Sequence, residues 1–274
     1  MRVLIGIDGS IASRAAIAWG IERAREGGGD VTLLFVVDDE WGTVGASGLA
    51  ELRSSAATLI EHELVSARAI ADAVPVHAEV AVGAPMLTLA IEAKDYAVVV
   101  IGTHKVGVFN GLALGSRALQ LAALSPVPVA VVPAQSGGQR TGIIVGIGGE
   151  AGEDVVVRAA AAESIRTDEP LVLVRSFAHS AAAGEWPLDR ATRLAESLVS
   201  PAGVSQQRSG AAPGEALAVM SGEAVLTVVG RPTAAGAHGY RPLGRASADL
   251  LMNLRGPALI VPFQNGHERA GGEV

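Results

Sequence analysis

Five short segments of this chain return, in the same order, in its second half. V-L-I-G-I-D-G-S (Val3–Ser10) returns as I-I-V-G-I-G-G-E (Ile143–Glu150), and A-P-M-L-T-L-A (Ala84–Ala90) as A-P-G-E-A-L-A (Ala212–Ala218). A-V-V-V-I-G (Ala97–Gly102) returns as V-L-T-V-V-G (Val225–Gly230), L-G-S-R (Leu114–Arg117) as L-G-R-A (Leu243–Ala246), and P-V-A-V-V-P (Pro128–Pro133) as P-A-L-I-V-P (Pro257–Pro262). The offset falls from 140 for the first pair, Val3 to Ile143, to 129 for the last, Pro128 to Pro257. Chance matches would not keep their order, so the chain is read as an internal duplication. Each copy has about 135 residues, the size of an ordinary domain. The expected domains are 1–134 and 141–263, joined by the Gly- and polar-rich A-Q-S-G-G-Q-R-T (Ala134–Thr141), with a polar tail over Gln264–Val274.

Within each copy, short apolar blocks alternate with helix-like segments. Strands are expected near 2–8, 30–37, 76–82, 97–101 and 128–132, and helices near 11–26, 48–73, 85–94 and 116–124. The blocks are nearly pure Val, Ile and Leu, as strands buried on both faces of a parallel sheet require. In the second helix Leu52, Ala56, Leu59, Ile60, Leu64 and Ala67 fall at three- and four-residue spacing, which predicts a sheet-packing face. Pro85 suits a first helical turn. The alternation predicts two tandem α/β domains, each a doubly wound, five-stranded, mostly parallel sheet with about four helices. In such sheets a ligand crevice lies at the strand C-termini, where strand order reverses.

Composition narrows the classes. The chain is 49% hydrophobic but 3% aromatic, and its apolar residues come in blocks far shorter than the roughly 18 a membrane span needs. Asp8 interrupts the N-terminal apolar run, so no secretion signal is read there. With no cysteine, disulfides, thiolate metal sites and cysteine catalysis are excluded. A cytoplasmic location is expected. A net charge of −7 with no basic block argues against nucleic acid as the main partner. Glu61-His62-Glu63 is read as a solvated helix face rather than a metal cluster.

The run from Gly102 to Ser116 follows the fourth strand and opens a helix at Arg117. A strand, a glycine-rich loop and a helix N-terminus together can cradle an anion, because glycines admit close backbone approach and the first-turn N–H groups are unpaired. Ser116 stands at the N-cap. Spacing alone is equally consistent with an ordinary turn, and the run is neither a Walker A loop nor a dinucleotide fingerprint. Asp8 and Val36 fall, like Gly102, near strand C-termini. Asp8 could accept from ligand hydroxyls or cap the following helix; Gly9 allows a tight turn, and Ser10 suits the helix cap.

Taken together these residues resemble the universal stress protein family in its tandem two-domain form, over essentially the whole chain. That family's nucleotide-binding members carry G-x2-G-x9-G-[ST] after the fourth strand. Gly102, Gly115 and Ser116 match in register, while Lys105 stands at the second glycine. I-D-G-S supplies the acid at the end of the first strand, Asp8. F-V-V-D (Phe35–Asp38) places Val36 where the backbone would meet adenine. The resemblance implies an adenine-nucleotide α-hydrolase-like fold and ATP or another adenine nucleotide as ligand, with Mg2+ left open. The implied binding set is Asp8, Gly9, Val36, Gly102, His104, Lys105, Gly115 and Ser116. Lys105 costs roughly 1 kcal/mol if its backbone must be left-handed, and its ammonium, like His104, could instead reach a phosphate.

The second copy departs further. Gly148 replaces Asp8, Glu150 replaces Ser10, and Arg245 replaces the closing Ser, so no standard nucleotide site is expected there. Arg231, Arg241 and Arg245 could hold an anion, but a structural role is expected. The leading function is a stress-response sensor or regulator that binds adenine nucleotide in its first domain and signals to a regulatory protein. A nucleotide-independent scaffold and a slow ATP hydrolase are the alternatives. No catalytic group is readable near the loop, so no fast catalyst is expected. The apolar last strands would be an aggregation hazard if exposed, so internal pairing of the two domains is expected, with a further homodimer left open.

Overall fold

The computed structural model describes residues 1–38, 46–104, 116–134, 138–177, 186–233 and 243–264, with backbone alone at 46–53, 116 and 186. They form two compact units. The first runs β1 (Val3–Ile7), α1 (Ile11–Glu26), β2 (Val31–Val37), α2 (Ala46–Ala71), β3 (Val76–Val82), α3 (Pro85–Glu92), β4 (Val98–Thr103), α4 (Ser116–Leu124) and β5 (Val129–Pro133). The second repeats that order as β6 (Ile143–Gly146), α5 (Asp154–Thr167), β7 (Leu171–Ser176), α6 (Trp186–Glu196), β8 (Val204–Ser209), α7 (Pro213–Met220), β9 (Leu226–Thr233), α8 (Arg245–Met252) and β10 (Ala258–Gln264).

The strands of the first unit lie in the order β3-β2-β1-β4-β5, all parallel. Those of the second lie β10-β9-β6-β7-β8, also all parallel. The doubly wound arrangement expected from the alternation is the one adopted. Right-handed crossovers put α1 and α2 on one face and α3 and α4 on the other, and the packing agrees: α1 lies on α2, and α3 on α4. Val3, Leu4, Ile5, Val98, Val99, Val100, Val129 and Ala130 are almost inaccessible, and the larger of them each contribute about 1.5–3 kcal/mol by leaving water. Strand order reverses between β1 and β4, and the site opens there. Among the described residues no helix is long and apolar enough to cross a membrane.

One correction concerns α2. Its inaccessible stripe runs Ala56, Ile60, Glu63, Ala67 and Ala71, so Glu63 is not solvated with its neighbours Glu61 and His62. The Arg14 guanidinium of α1 donates to Glu63 Oε1 from Nη2 at 3.0 Å and Nε at 3.2 Å. A buried carboxylate is tolerated when a charged donor meets it, and here that donor comes from 49 residues away. The pair ties α1 to α2 one turn beyond Leu59.

Candidate functional site

Beyond the C-terminal ends of β1, β2 and β4 the first unit carries a cavity of about 510 Å3. Its floor is apolar, from Ile7, Leu34, Phe35, Met86, Leu89 and Ile101. Its polar groups are Asp8 and Asp38 at two strand ends, Ser13 on α1, Ser55 on α2 and Arg117 on α4.

Asp8 does two things at once. Its Oδ1 accepts the Ser10 N–H at 3.0 Å, closing a turn of the kind Asp favours. Its Oδ2 faces Arg117 Nη1 at 3.9 Å. Both side chains are more than half exposed, so this pair contributes little stability and exchanges readily for another partner. Gly9 follows in the left-handed region at φ 76°, and a Cβ there would come within 2.9 Å of Leu59 on α2. Ser10 then caps α1, its hydroxyl accepting the Ser13 N–H at 3.1 Å.

Val36 presents its backbone. In a parallel ladder the carbonyls of successive residues point to opposite sides of the strand. The Val37 carbonyl accepts the Gly83 N–H at 3.0 Å, on the β3 side. The Val36 carbonyl is thereby turned to the β1 side, past Ile7, the last β1 residue paired with β2.

Asp8, Val36 and Gly102 therefore converge on one cavity. Gly9 shapes its edge without lining it, and His104 is exposed and does not line it. Ser116 is the first residue of α4, its side chain outside the described set, and Lys105 and Gly115 lie wholly outside it. Gly102 has a packing role that its motif hides. A Cβ there would stand 2.0 Å from the Ala12 carbonyl oxygen and 2.7 Å from the Ser13 nitrogen. The missing side chain is what lets the first turn of α1 lie on β4. Arg117 was not among the expected site residues, though its place directly after Ser116 was a usable signal.

The second unit has a cavity of about 560 Å3 at the equivalent strand ends. The turn after β6 is held differently. Gly148 and Gly149 donate their N–H groups to Glu153 Oε1 and Oε2 at 2.6 and 2.8 Å. Burial raises the Glu153 carboxyl above its ordinary value of 4.5, with Glu150 adding to the rise, while the two glycine N–H groups and Arg175 pull it down. A native carboxyl that keeps its proton to higher pH than the unfolded one contributes stability that is full below 4.5 and is lost as pH rises through the folded value. Amide exchange of peptides spanning 143–157 is expected to quicken as pH rises through that window, after correction for intrinsic rates. In Glu153→Gln this pH dependence should flatten.

A doubly wound parallel sheet with a crevice at its switch point places each unit in the open α/β class, in which ligands enter at that crevice. The first unit, residues 1–133, matches the universal stress protein family. A universal stress protein of Mycolicibacterium smegmatis is 34% identical over 132 residues, 47% of this chain and 45% of that protein, so the chain spans less than half of that relative's length. A universal stress protein of Mycobacterium tuberculosis is 28% identical over 194 residues, 70% of each chain. The crystal structure of a universal stress protein from Archaeoglobus fulgidus superposes with a TM-score of 0.74 over 97% of each chain at 16% identity, a likeness of fold.

Proposed function

We propose that the first unit binds an adenine nucleotide and that the chain acts as a sensor or regulator rather than a fast catalyst. The observation that carries this is the 510 Å3 cavity with Asp8, the Val36 carbonyl and Arg117 set around an apolar floor. Its volume lies within the roughly 300–1,000 Å3 of small-molecule sites. The apolar floor suits a flat base. The Val36 carbonyl suits an exocyclic amine at that base's edge. Asp8 Oδ2 suits sugar hydroxyls, and Arg117 suits phosphate. The family resemblance of Asp8, Val36 and Gly102 points the same way. Nucleotide binding would shift the native ensemble by mass action, about 2.7 kcal/mol at a hundredfold excess over Kd, which a regulatory protein partner could read.

Isothermal titration with ATP, AMP and adenosine, each with and without Mg2+, tests this. A stoichiometry near one, with AMP at least about tenfold tighter than adenosine, is expected. Arg117→Gln should bring AMP to within a few-fold of adenosine and leave adenosine unchanged, because only the phosphate loses its partner. No heat with any of the three at millimolar concentration would overturn the reading in favour of a nucleotide-independent scaffold.

A further inference from the structure

The second unit's cavity has no counterpart to Asp8, since Gly148 stands in its place. It has instead a charge at its inner wall. Ile143 pairs with Leu171 as Val3 pairs with Val31, so Arg175 on β7 occupies the position of Phe35 on β2. Arg175 lines the cavity and is only 7% exposed. Its Nη1 donates to the Gly148 carbonyl at 2.8 Å and reaches the Ile147 carbonyl at 3.4 Å. Its Nε is buried and has no hydrogen-bond partner. Arg175 forms no ion pair in contact among the described residues, but its charge reaches the Glu153 carboxyl of the neighbouring turn and pulls it down. Glu153, the acid of the same turn, has an oxygen on each of two glycine N–H groups.

A guanidinium keeps its charge at every accessible pH, and burying one with a donor left unmet is costly. Two carbonyl dipoles and the nearby Glu153 offset part of that cost, and Nε is still left without an acceptor. Val174, Leu217, Val229 and Phe263 give the cavity apolar walls, while Ser176 and Ser247 bring hydroxyls and Glu150 and Glu153 carboxylates to its lining. Arg245 adds a second cation at the rim, 92% exposed and 3.6 Å from Asp249. Apolar walls beside a buried guanidinium whose Nε lacks an acceptor complement an anionic head on an apolar body.

We propose that the second unit's cavity binds a small organic anion, a carboxylate or a phosphate ester on an apolar body. The head sits on Arg175 and the body on Val174, Leu217 and Phe263. A ribonucleotide is disfavoured there, because glycine stands at the strand-end position that Asp8 holds in the first unit and Glu153 is bonded to the turn's own N–H groups. The proposal does not depend on nucleotide binding in the first unit.

The full chain is titrated with phenyl phosphate, with 4-phenylbutyrate and with neutral benzyl alcohol, and amide exchange locates each effect. At least one anion is expected to bind about tenfold or more tighter than benzyl alcohol and to protect peptides spanning 143–157 and 171–177. Whichever anion does so identifies the head group. Arg175→Gln should lose about tenfold for that anion and little for benzyl alcohol. Because Arg175→Gln also loosens the Gly148 turn, Ala216→Met gives a second arm: it fills the cavity from α7, leaves Arg175 in place and should also abolish binding. The proposal is overturned if neither anion outbinds the alcohol, or if protection falls on first-unit peptides. It is also overturned if Arg175→Gln binds like wild type, or if AMP protects 171–177 as well as the probes do.

Discussion

Gly102→Ala is expected to destabilise the first unit by about 3 kcal/mol, the top of the range for overpacking a closed contact. The atom that an added methyl would meet is the carbonyl oxygen of Ala12, 2.0 Å away, with the Ala12 carbonyl carbon at 2.1 Å. Backbone cannot rotate aside as a side chain does, so α1 must lift from β4. That movement would carry Asp8, Ser10 and Ser13 with it and open the cavity edge. Thermal unfolding should fall by on the order of 10 °C, and amide exchange should quicken in peptides of β1, α1 and β4. Gly230 is the internal control. It ends the matching strand segment of the second unit, but its added Cβ would meet the Phe263 ring at 2.6 Å and a Val156 methyl at 3.0 Å, both side-chain atoms. Gly230→Ala should therefore cost less. If Gly102→Ala instead leaves apo stability unchanged and weakens only nucleotide binding, Gly102 serves the ligand and not the packing of α1.

The contrast between those glycines shows where the sequence is informative. The strands were legible because parallel strands buried on both faces leave uninterrupted Val and Ile blocks, such as Val98–Ile101. The Asp8-Gly9-Ser10 turn was legible because every bond it makes lies within five residues. Glu63 was not, because its burial depends on Arg14 in another helix, and helical spacing alone favoured Leu64. The packing role of Gly102 was hidden for the same reason, since its constraint is set by Ala12 across the sheet. Arg175 lay in plain view as a cation inside the apolar strand segment Leu171–Ser176. Only the register of β6 with β7 places it in a cavity.

Asp8→Asn separates the two duties of Asp8. Asparagine keeps an oxygen for the Ser10 N–H, so the turn after β1 and the cap of α1 should survive with almost no change in stability. Asp8→Ala also loses the turn bond, at a cost of about 1 kcal/mol. Toward a ligand the two variants should behave alike. Asn puts an uncharged amide where Oδ2 stood, and a hydrogen bond to a charged acceptor is worth about 1.5–3 kcal/mol, or roughly 10–100-fold in affinity. Adenosine is the better first probe, because removing Asp8 also frees Arg117 from its 3.9 Å contact and would strengthen its hold on a phosphate. Wild type should bind adenosine at least about tenfold tighter than either variant, and should discriminate against a sugar lacking hydroxyls where the variants do not. Wild-type affinity in Asp8→Asn would confine Asp8 to the turn and leave recognition to the Val36 backbone and the apolar floor. Loss in both variants, with stability kept in Asp8→Asn, would make the Asp8 carboxylate itself the group that recognises the sugar.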